Sequence, residues 1–382
     1  AYGMRYDCGL FAQAIDDGWQ VEKPQPWTHL GSPWEIARRD LAFTVKFGGH
    51  VESRGGDLRA PALWTGTDDV VATAHDLPVI GAGPRRLYSL RLWSAAAAHE
   101  LDLHAFNGGD HQRAFSRRNA VESLTQVLYP SDHTPAGREL RFRQEYFFAS
   151  ASIQDILRRF RRLDLPFERL PDEFAVQIND THPALAVLEL MRILVDIEGL
   201  GFARALEITR AAFAYTNHTL LPEAFEIWPV QLFERLLPRH LQILYAINGD
   251  FLAAVAARRP HDMGLIRRVS LIDETAGRGV RMANLAALCS ARVNGVSAIH
   301  TQLMRETSFA DFDDLFPERI VNITNGIAFR RWLRDANPGL ARLIAERLGE
   351  RWMSDTRALS GLERAADEPG FRTAFRAQKR LN

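Results

Sequence analysis

Four short polar clusters in this chain carry side chains suited to gripping hydroxyl groups. Asn179, Asp180, Thr181 and His182 stand in a row, followed by Pro183. Asn217 and His218 repeat the theme, with Glu223 a little further on. Asn294-Gly295-Val296 and Thr324-Asn325-Gly326 complete the set. Asn, Asp, Thr and His offer donors and acceptors on short, stiff stems, which suits a ligand whose hydroxyls lie at fixed angles. Each cluster also has a reading in which it only shapes the chain. Pro183 fits the first position of a helix, which puts Thr181 or His182 at the cap, Thr being the better cap. His218 reads equally as a buried histidine with satisfied nitrogens. Thr324–Ile327 reads as an Asn-Gly turn. Val293–Val296 falls inside a helix-like stretch, where Asn-Gly is costly, so a break there needs a close backbone approach to explain it.

The elements that must hold these clusters follow from periodicity. Short apolar runs precede three of them: FAVQIN before DTHP, AAFAYT before NHTLLPEAF, and RIVNIT before NGI. Each reads as a buried strand, a tight polar turn and a helix start. Strands alternating with helices predict a parallel sheet in an α/β domain, and open sheets of that kind bind ligands at the carboxyl ends of their strands. Residues 1 to about 115 instead alternate strand-like runs with Gly, Pro and Asp turns, as in LAFTVKFGGHVES, ALWTGTDDVVATAHDLPV and RRLYSLRLWSA. Beyond Ala114, helical spacing dominates, in AVESLTQVLY, YFFASASIQDILRRFRRL, ALAVLELMRILVDIEG, PVQLFERLLPRHLQILYAINGDFLAAVAARR and MANLAALCSARVNGVSAIHTQLMRET.

Bulk properties exclude several classes. The 382 residues are 46% hydrophobic and 25% charged with a formal net charge of zero, so no global field recruits nucleic acid or an anionic membrane. No stretch approaches the roughly 20 apolar residues of a membrane span. Cys8 and Cys289 are far apart, which argues against a disulfide framework and fits a reducing cytoplasm. VIGAGPRR, with Gly81, Gly83 and Pro84, lacks the third glycine of a dinucleotide fingerprint and reads as a turn. The histidines have no metal-ligand spacing, and P-loop, GxSxG and HExxH patterns are absent. No carboxylate pair stands out as a hydrolytic couple. The basic run Arg158–Arg162 reads as a solvated helix face. The chain opens without Met and stops inside a charged, helix-like stretch, so the expectation is an internal piece of a longer protein.

Taken in order, YGMRYDCGLF, GSPWE, RLWSA, LYPSD, RQEYF, VQINDTHPALAVLELMR, YTNHTLLPEA, WPVQLFERLLPRHLQILYAIN, VNGVSAIHTQLM, TNGIAFRRWL and NPGLARLIAERLGERW resemble the glycogen, starch and maltodextrin phosphorylases. The resemblance covers essentially the whole chain. It implies the glycosyltransferase-B architecture, an α/β fold of two Rossmann-like domains around a cleft. Residues 1–320 would form the N-terminal glucan-binding domain, truncated at its start, and residues 321–382 the beginning of the C-terminal, cofactor-binding domain.

The resemblance also implies roles. His218 matches the histidine whose main-chain carbonyl and ring lie against the glucosyl unit at the cleaved bond, where a carbonyl dipole favours positive charge developing at the anomeric carbon. Asn325 matches an asparagine that binds a sugar hydroxyl. Asp132 lies in the loop that governs access to the cleft, next to His133, where many members have asparagine, and Thr134, which replaces a common aromatic. Asp180 and His182 match the pocket-lining NDTHP loop, and Glu223 and Val296 match pocket-wall positions. Trp332 matches a tryptophan close to the cofactor, and Phe329 stands where the family usually has proline. Arg158 and Arg159 match a phosphate-binding helix of some regulated members.

The activity implied is cleavage of α-1,4-glucan ends by inorganic phosphate, releasing glucose 1-phosphate with retention. Pyridoxal 5′-phosphate is the implied cofactor, its phosphate relaying a proton to inorganic phosphate. The family's cofactor lysine has no match among Lys23, Lys46 and Lys379, so the piece alone is expected to be inactive. No nucleic acid, membrane or metal is implied, and family members are commonly cytoplasmic homodimers. Two rival readings stay open: a pyridoxal-free nucleotide-sugar glycosyltransferase of the same fold, and a non-catalytic carbohydrate-binding module.

Overall fold

A computed structural model describes residues 1–25, 28, 31–53, 55–81, 86–97, 102–275 and 277–381. Gly83 and Pro84 of the glycine-containing turn lie outside the described residues. The chain forms two compact units, Ala1–Ile323 and Thr324–Asn382.

The first unit opens with strands, as the Gly- and Asp-punctuated alternation predicts. They are β1 (Tyr2–Met4), β2 (Leu10–Asp16), β3 (Trp19–Gln25), β4 (Ile36–Phe47), β5 (His50–Ser53), β6 (Ala62–Thr65), β7 (Asp68–Ile80) and β8 (Leu87–Ala97). β1, β8, β7 and β4 form one sheet, in which β1 runs parallel to β8 and the other pairs are antiparallel. ALWTGTDDVVATAHDLPV forms β6 and β7, which part at Gly66, whose φ of 65° favours glycine.

Helices follow: α1 (Leu103–Asn107), α2 (His111–Glu122), α3 (Pro135–Arg161) and α4 (Leu170–Glu173). α3 has Pro135 at its start and Thr134 at its cap, accepting from the Gly137 amide. The second four-stranded sheet then begins. Its strands are β9 (Val176–Asn179) and β10 (Phe213–Thr216), separated by α5 (Leu185–Arg192) and α6 (Phe202–Ala212). After β11 (Ile227–Pro229) come α7 (Val230–Leu236), α8 (Pro238–Arg258), α9 (Met263–Val269), β12 (Ile272–Asp273), β13 (Gly279–Arg281) and α10 (Met282–Leu288). β14 (Arg292–Gly295), α11 (Ala298–Glu306), α12 (Ala310–Leu315) and β15 (Ile320–Asn322) complete the unit.

The order β9-β10-β14-β15 is parallel throughout, with helices between successive strands, so the expected α/β sheet is present. Two elements differ from expectation. PVQLFERLLPRHLQIL is two helices, because Pro238 forces Leu237 out of the helical region and separates α7 from α8. MANLAALCSARVNGVSAIH is not one helix but α10, β14 and α11. Gly295 marks the reason: a Cβ there would overlap Thr301 and His300 in the first turn of α11, so helix and strand end meet closely only around glycine.

A buried carboxylate ties the helices beneath this sheet together. Glu189 on α5 is fully buried and accepts hydrogen bonds from Ser150 Oγ (2.8 Å) and Tyr146 OH (3.2 Å) of α3. It also accepts from Arg192 Nε (2.8 Å) and from His240 Nε2 of α8 (2.8 Å). His240 Nδ1 is buried without a partner, which suits a neutral ring donating through Nε2. Burial, working against the favourable Glu189 contact, holds the His240 ring below its ordinary pKa. Burial alone would raise the Glu189 carboxyl, but the Arg192 charge and the donors around it prevail and hold it well below the carboxylate range. Nearby, Arg239 forks onto Asp196 (2.8 and 3.0 Å) and caps the carbonyls of Leu58 and Ala60.

The second unit has its own small core. A turn at Arg330–Asp335 carries Trp332, and α13 (Pro338–Leu348), α14 (Leu362–Ala365) and α15 (Pro369–Leu381) follow. Ala341, Ile344 and Trp352 are its buried centre.

Removing the Glu189 carboxylate leaves Arg192 and His240 buried without their acceptor. Glu189→Ala is expected to cost about 3–5 kcal/mol in urea unfolding. In the wild type, both groups make acid destabilising. The unfolded state takes up a proton on histidine as pH falls below the ordinary histidine range, and on the carboxylate as it falls further, while the folded state resists both. The urea midpoint should therefore drop on acidification in two stages, and Glu189→Ala should blunt the lower one.

Candidate functional site

The parallel sheet delivers its polar clusters to one edge. β9 ends at Asn179 and leads into Asp180, β10 leads into Asn217 and His218, and β14 ends in Asn294 and Gly295 and leads into Val296. The backbone ladder continues past the strands, from the Asp180 amide to the Thr216 carbonyl and from the Asn217 amide to the Asn294 carbonyl, both 3.0 Å. This fixes the neighbouring turns in register. Asn179 Oδ1 accepts from Nε2 of the exposed His218 ring. Asn217 is buried, and its Oδ1 accepts from Nε2 of His300 at 2.9 Å. Burial first and the neighbouring His218 second hold His300 below its usual pKa, so it is a neutral donor. Thr216 Oγ1 donates to Asn294 Oδ1 at 2.8 Å.

A second constellation lies beside this edge. The residues after Thr181 do not cap a helix as the sequence suggests. α5 begins at Leu185 with Ala184 at its cap position and no side-chain cap bond. The buried Thr181 hydroxyl donates instead to Glu226 Oε2 at 2.6 Å, because an ionised carboxylate is the stronger acceptor. Arg141 on α3 donates to Glu226 Oε1 at 3.3 Å and to Asp132 Oδ2 at 2.6 Å, joining the LYPSD loop to the loop after β10. His182 Nε2 lies 3.8 Å from Glu226 Oε1, and its ring meets Tyr129 edge-on at 6.3 Å between centroids. Beneath them Glu145, also on α3, accepts from Trp228 Nε1 at 3.2 Å.

Of the residues singled out in the sequence, Asp132, Asp180 and His182 belong to loops that meet here, and His218 sits at the strand edge above Asn179. His133 and Glu223 are exposed, the latter in a 3₁₀ turn at Pro222–Phe225. Val296 follows β14 and is half-buried. Asn325 and Trp332 belong to the second unit, where both are exposed. Sequence reasoning passed over Arg141, Glu145, Glu226 and His300. Their signal was faint: Glu226 follows the YTNHTLLPEA run two residues on, and Glu145 sits in RQEYF, quoted only for its resemblance. Arg158, read as a solvated face, pairs with the buried Asp155 at 2.8 Å, and Arg159 donates to Tyr2 OH at 3.4 Å.

One trio among the described residues brings histidine and carboxylates together. Glu145, His182 and Glu226 each place a ligand atom within 4.8 Å of the others. The Arg141 guanidinium already neutralises Glu226, which suits a proton-linked cluster better than a cation. The lysines do not fit a Schiff-base role. Lys23 is exposed on β3, Lys46 faces Asp69 at 3.8 Å, and Lys379 is exposed on α15.

The sheet and its helices define the class as an α/β protein, with amide, hydroxyl and imidazole groups at the carboxyl ends of its parallel strands. A sequence model of the carbohydrate phosphorylase family matches residues 1–382, and the chain belongs to that family. It is 47% identical to bovine liver glycogen phosphorylase over 369 residues, covering 94% of this chain and 43% of that protein. Against glycogen phosphorylase of Haemophilus influenzae it is 47% identical over 373 residues, covering 98% and 45%. Against that of Saccharomyces cerevisiae it is 46% identical over 377 residues, covering 97% and 42%. The chain thus spans less than half the length of these curated relatives. Among the described residues no helix is long and apolar enough to cross a membrane.

Arg141 is the tie between the Asp132 loop and Glu226. Arg141→Met should cost about 1–3 kcal/mol by stranding both carboxylates. It should also speed amide exchange across residues 129–134, read by hydrogen–deuterium exchange. Unchanged exchange there would mean the loop is held by other contacts.

Proposed function

We propose that the protein is an α-glucan phosphorylase that moves the terminal glucosyl unit of an α-1,4-glucan onto inorganic phosphate, giving glucose 1-phosphate with retention. The observation that carries this reading is the family match over residues 1–382, with close to half the residues shared with glycogen phosphorylases. The strand-edge geometry supports it. A pyranose ring needs several donors and acceptors at fixed angles, and Asn179, Asp180, Asn217 and His218 stand on adjacent parallel strands whose register is locked by backbone bonds.

His218 is assigned to the reacting sugar. Its ring is oriented by Asn179, so its imidazole presents a fixed edge, and its main-chain carbonyl supplies a dipole favouring positive charge at the anomeric carbon. Asp180 and His182 line the pocket, Asp132 and His133 form the access loop, and Glu223 and Val296 form the wall. Asn325 is assigned to a sugar hydroxyl and Trp332 to the neighbourhood of pyridoxal 5′-phosphate. Since Lys23, Lys46 and Lys379 do not suit the cofactor's lysine, no step is assigned to the cofactor through this chain. The second unit is read as the opening of a second Rossmann-like domain. Homodimeric assembly and a cytoplasmic location belong to the same reading and rest on the family alone.

The 382-residue chain, supplied with pyridoxal phosphate, maltodextrin and phosphate, is expected to release no glucose 1-phosphate in a coupled assay; steady release would overturn the assignment of the lysines. In the active protein that contains this chain, His218→Ala should lower kcat/KM for maltodextrin phosphorolysis by about 10²–10³-fold. The thermal midpoint should stay unchanged, because His218 is exposed at the strand edge. Wild-type kinetics in that variant would remove His218 from the reaction.

A further inference from the structure

Two carboxyl groups face one another beneath the site loops, and they are not equivalent. Glu226 is surrounded by donors: the Thr181 hydroxyl on Oε2 and the Arg141 guanidinium on Oε1. Among the described residues Glu145 has a single donor, Trp228 Nε1 on Oε2, while its Oε1 is buried without a hydrogen-bond partner. An oxygen of the other carboxyl, Glu226, lies within 4.8 Å of a Glu145 oxygen. Two ionised carboxylates cannot bond, since both only accept; one proton between them turns the clash into a strong O–H···O⁻ bond. The donors decide which group keeps the negative charge. Glu226 has them, so Glu145 is the acid.

We propose that Glu145 is a protonated positioning residue, donating from Oε1 to Glu226 and thereby holding together the loops that form the glucan site. Glu226 is the hub of those loops. It accepts from Thr181 in the loop carrying Asp180 and His182, it takes Arg141, which holds Asp132, and it is itself the residue that ends the loop after His218. One proton on Glu145 thus keeps three loops around a common carboxylate. When that proton leaves, like charges are buried side by side, and the loops must part or admit water. This inference rests on the glucan-binding reading of the same loops.

The groups around the pair leave Glu145 as the one to titrate. Burial first, then the Glu226 charge, pushes the Glu145 carboxyl well above the carboxylate range, against the opposing Arg141 and Trp228. Tyr6, which faces both Tyr129 and Glu145, is pushed up mainly by burial and stays neutral. Tyr215, which faces Asp180 and Glu226, is raised the same way. His182 Nε2 lies 3.8 Å from Glu226 Oε1, with a ring nitrogen also within 4.8 Å of a Glu145 oxygen, and Asp132 is held by Arg141. The folded state therefore holds a proton that the unfolded chain has shed. The pair's stabilisation is complete below the ordinary carboxylate range and declines as pH rises toward the raised value.

The test compares wild type with Glu145→Gln and Glu145→Ala in the active protein that contains this chain. Glutamine is neutral at every pH and its amide donates to Glu226 as the acid does. Infrared difference spectra of the wild type at neutral pH should show the C=O stretch of a protonated buried carboxyl group, absent in Glu145→Gln. Maltodextrin affinity, measured calorimetrically, should fall about tenfold in the wild type from neutral to alkaline pH. Glu145→Gln should keep the neutral-pH affinity and lose that alkaline fall, while Glu145→Ala should bind weakly throughout. Identical pH profiles for wild type and Glu145→Gln, or no carboxyl band, would overturn the proposal. So would a zinc-induced rise in thermal midpoint that Glu145→Gln abolishes, which would make the trio a metal site. If wild type binds no maltodextrin at any pH, the glucan reading fails. The carboxyl band, with faster amide exchange at residues 129–134 and 180–182 on alkalinisation, still decides the role of Glu145.

Discussion

The structure depends on how donors are distributed between two buried glutamates. Glu189 lies at the junction of α3, α5 and α8, and every lone-pair direction it offers is met by a hydroxyl, a guanidinium or an imidazole. A carboxylate so surrounded stays ionised in an apolar core, and it demands that three helices meet at fixed distances. α5 leads out of β9, so the position of Glu189 also sets where the carboxyl end of β9 falls. Trp64 stacks edge-on against His240 at 5.3 Å and lies under Arg192, which extends the same constraint to the β5–β6 hairpin.

α3 carries the constraint to the site. Tyr146 and Ser150 reach Glu189 on one side of that helix, while Arg141 and Glu145 reach Glu226 on another. The helix is anchored by a carboxylate with ample donors and in turn presents a carboxyl group with one. The same chemical group is therefore charged in one place and protonated in the other. Both positions are buried, so the number of donors decides. A further donor aimed at Glu145 Oε1 would make the pair doubly ionised and remove any reason for Glu226 to remain close.

The strand-end clusters were legible in the sequence because short apolar runs ending in Asn, Asp or His have little else to be. FAVQIN, AAFAYT and RIVNIT became β9, β10 and β15 in one parallel sheet. β14 was hidden by its alanine- and serine-rich surroundings, which score as helix; only the packing of α11 against Gly295 rules that out. Thr181 was misread for a related reason. Local pattern favours a cap, but a carboxylate forty-five residues away in sequence, Glu226, competes for the hydroxyl and wins. Glu145 was beyond reach. A glutamate one position from an aromatic on an amphipathic helix carries no mark of its protonation state, which depends on what three other segments bring to it.

Backbone strain follows the same loops. Tyr129, Asp180 and Glu226 all have positive φ, at 52°, 64° and 39°, without being glycine. Such conformations cost roughly 1–3 kcal/mol each and persist only where surrounding contacts over-determine them. Asp180 bonds its own oxygen to the Thr181 amide at 2.8 Å, which eases its turn locally. The Glu226 side chain is fixed by Thr181 and Arg141. Gly137, where a Cβ would overlap the Ser131 carbonyl oxygen, lets the segment after Tyr129 fold tightly back on α3. Of the non-glycine residues with positive φ, Asp17, Asp164, His261, Arg278 and Glu318 lie elsewhere, while three, Tyr129, Asp180 and Glu226, lie in the segments that meet at Glu226. Their shape is imposed by the polar hub and not by local preference, so a change in the charge of that hub acts on all of them at once.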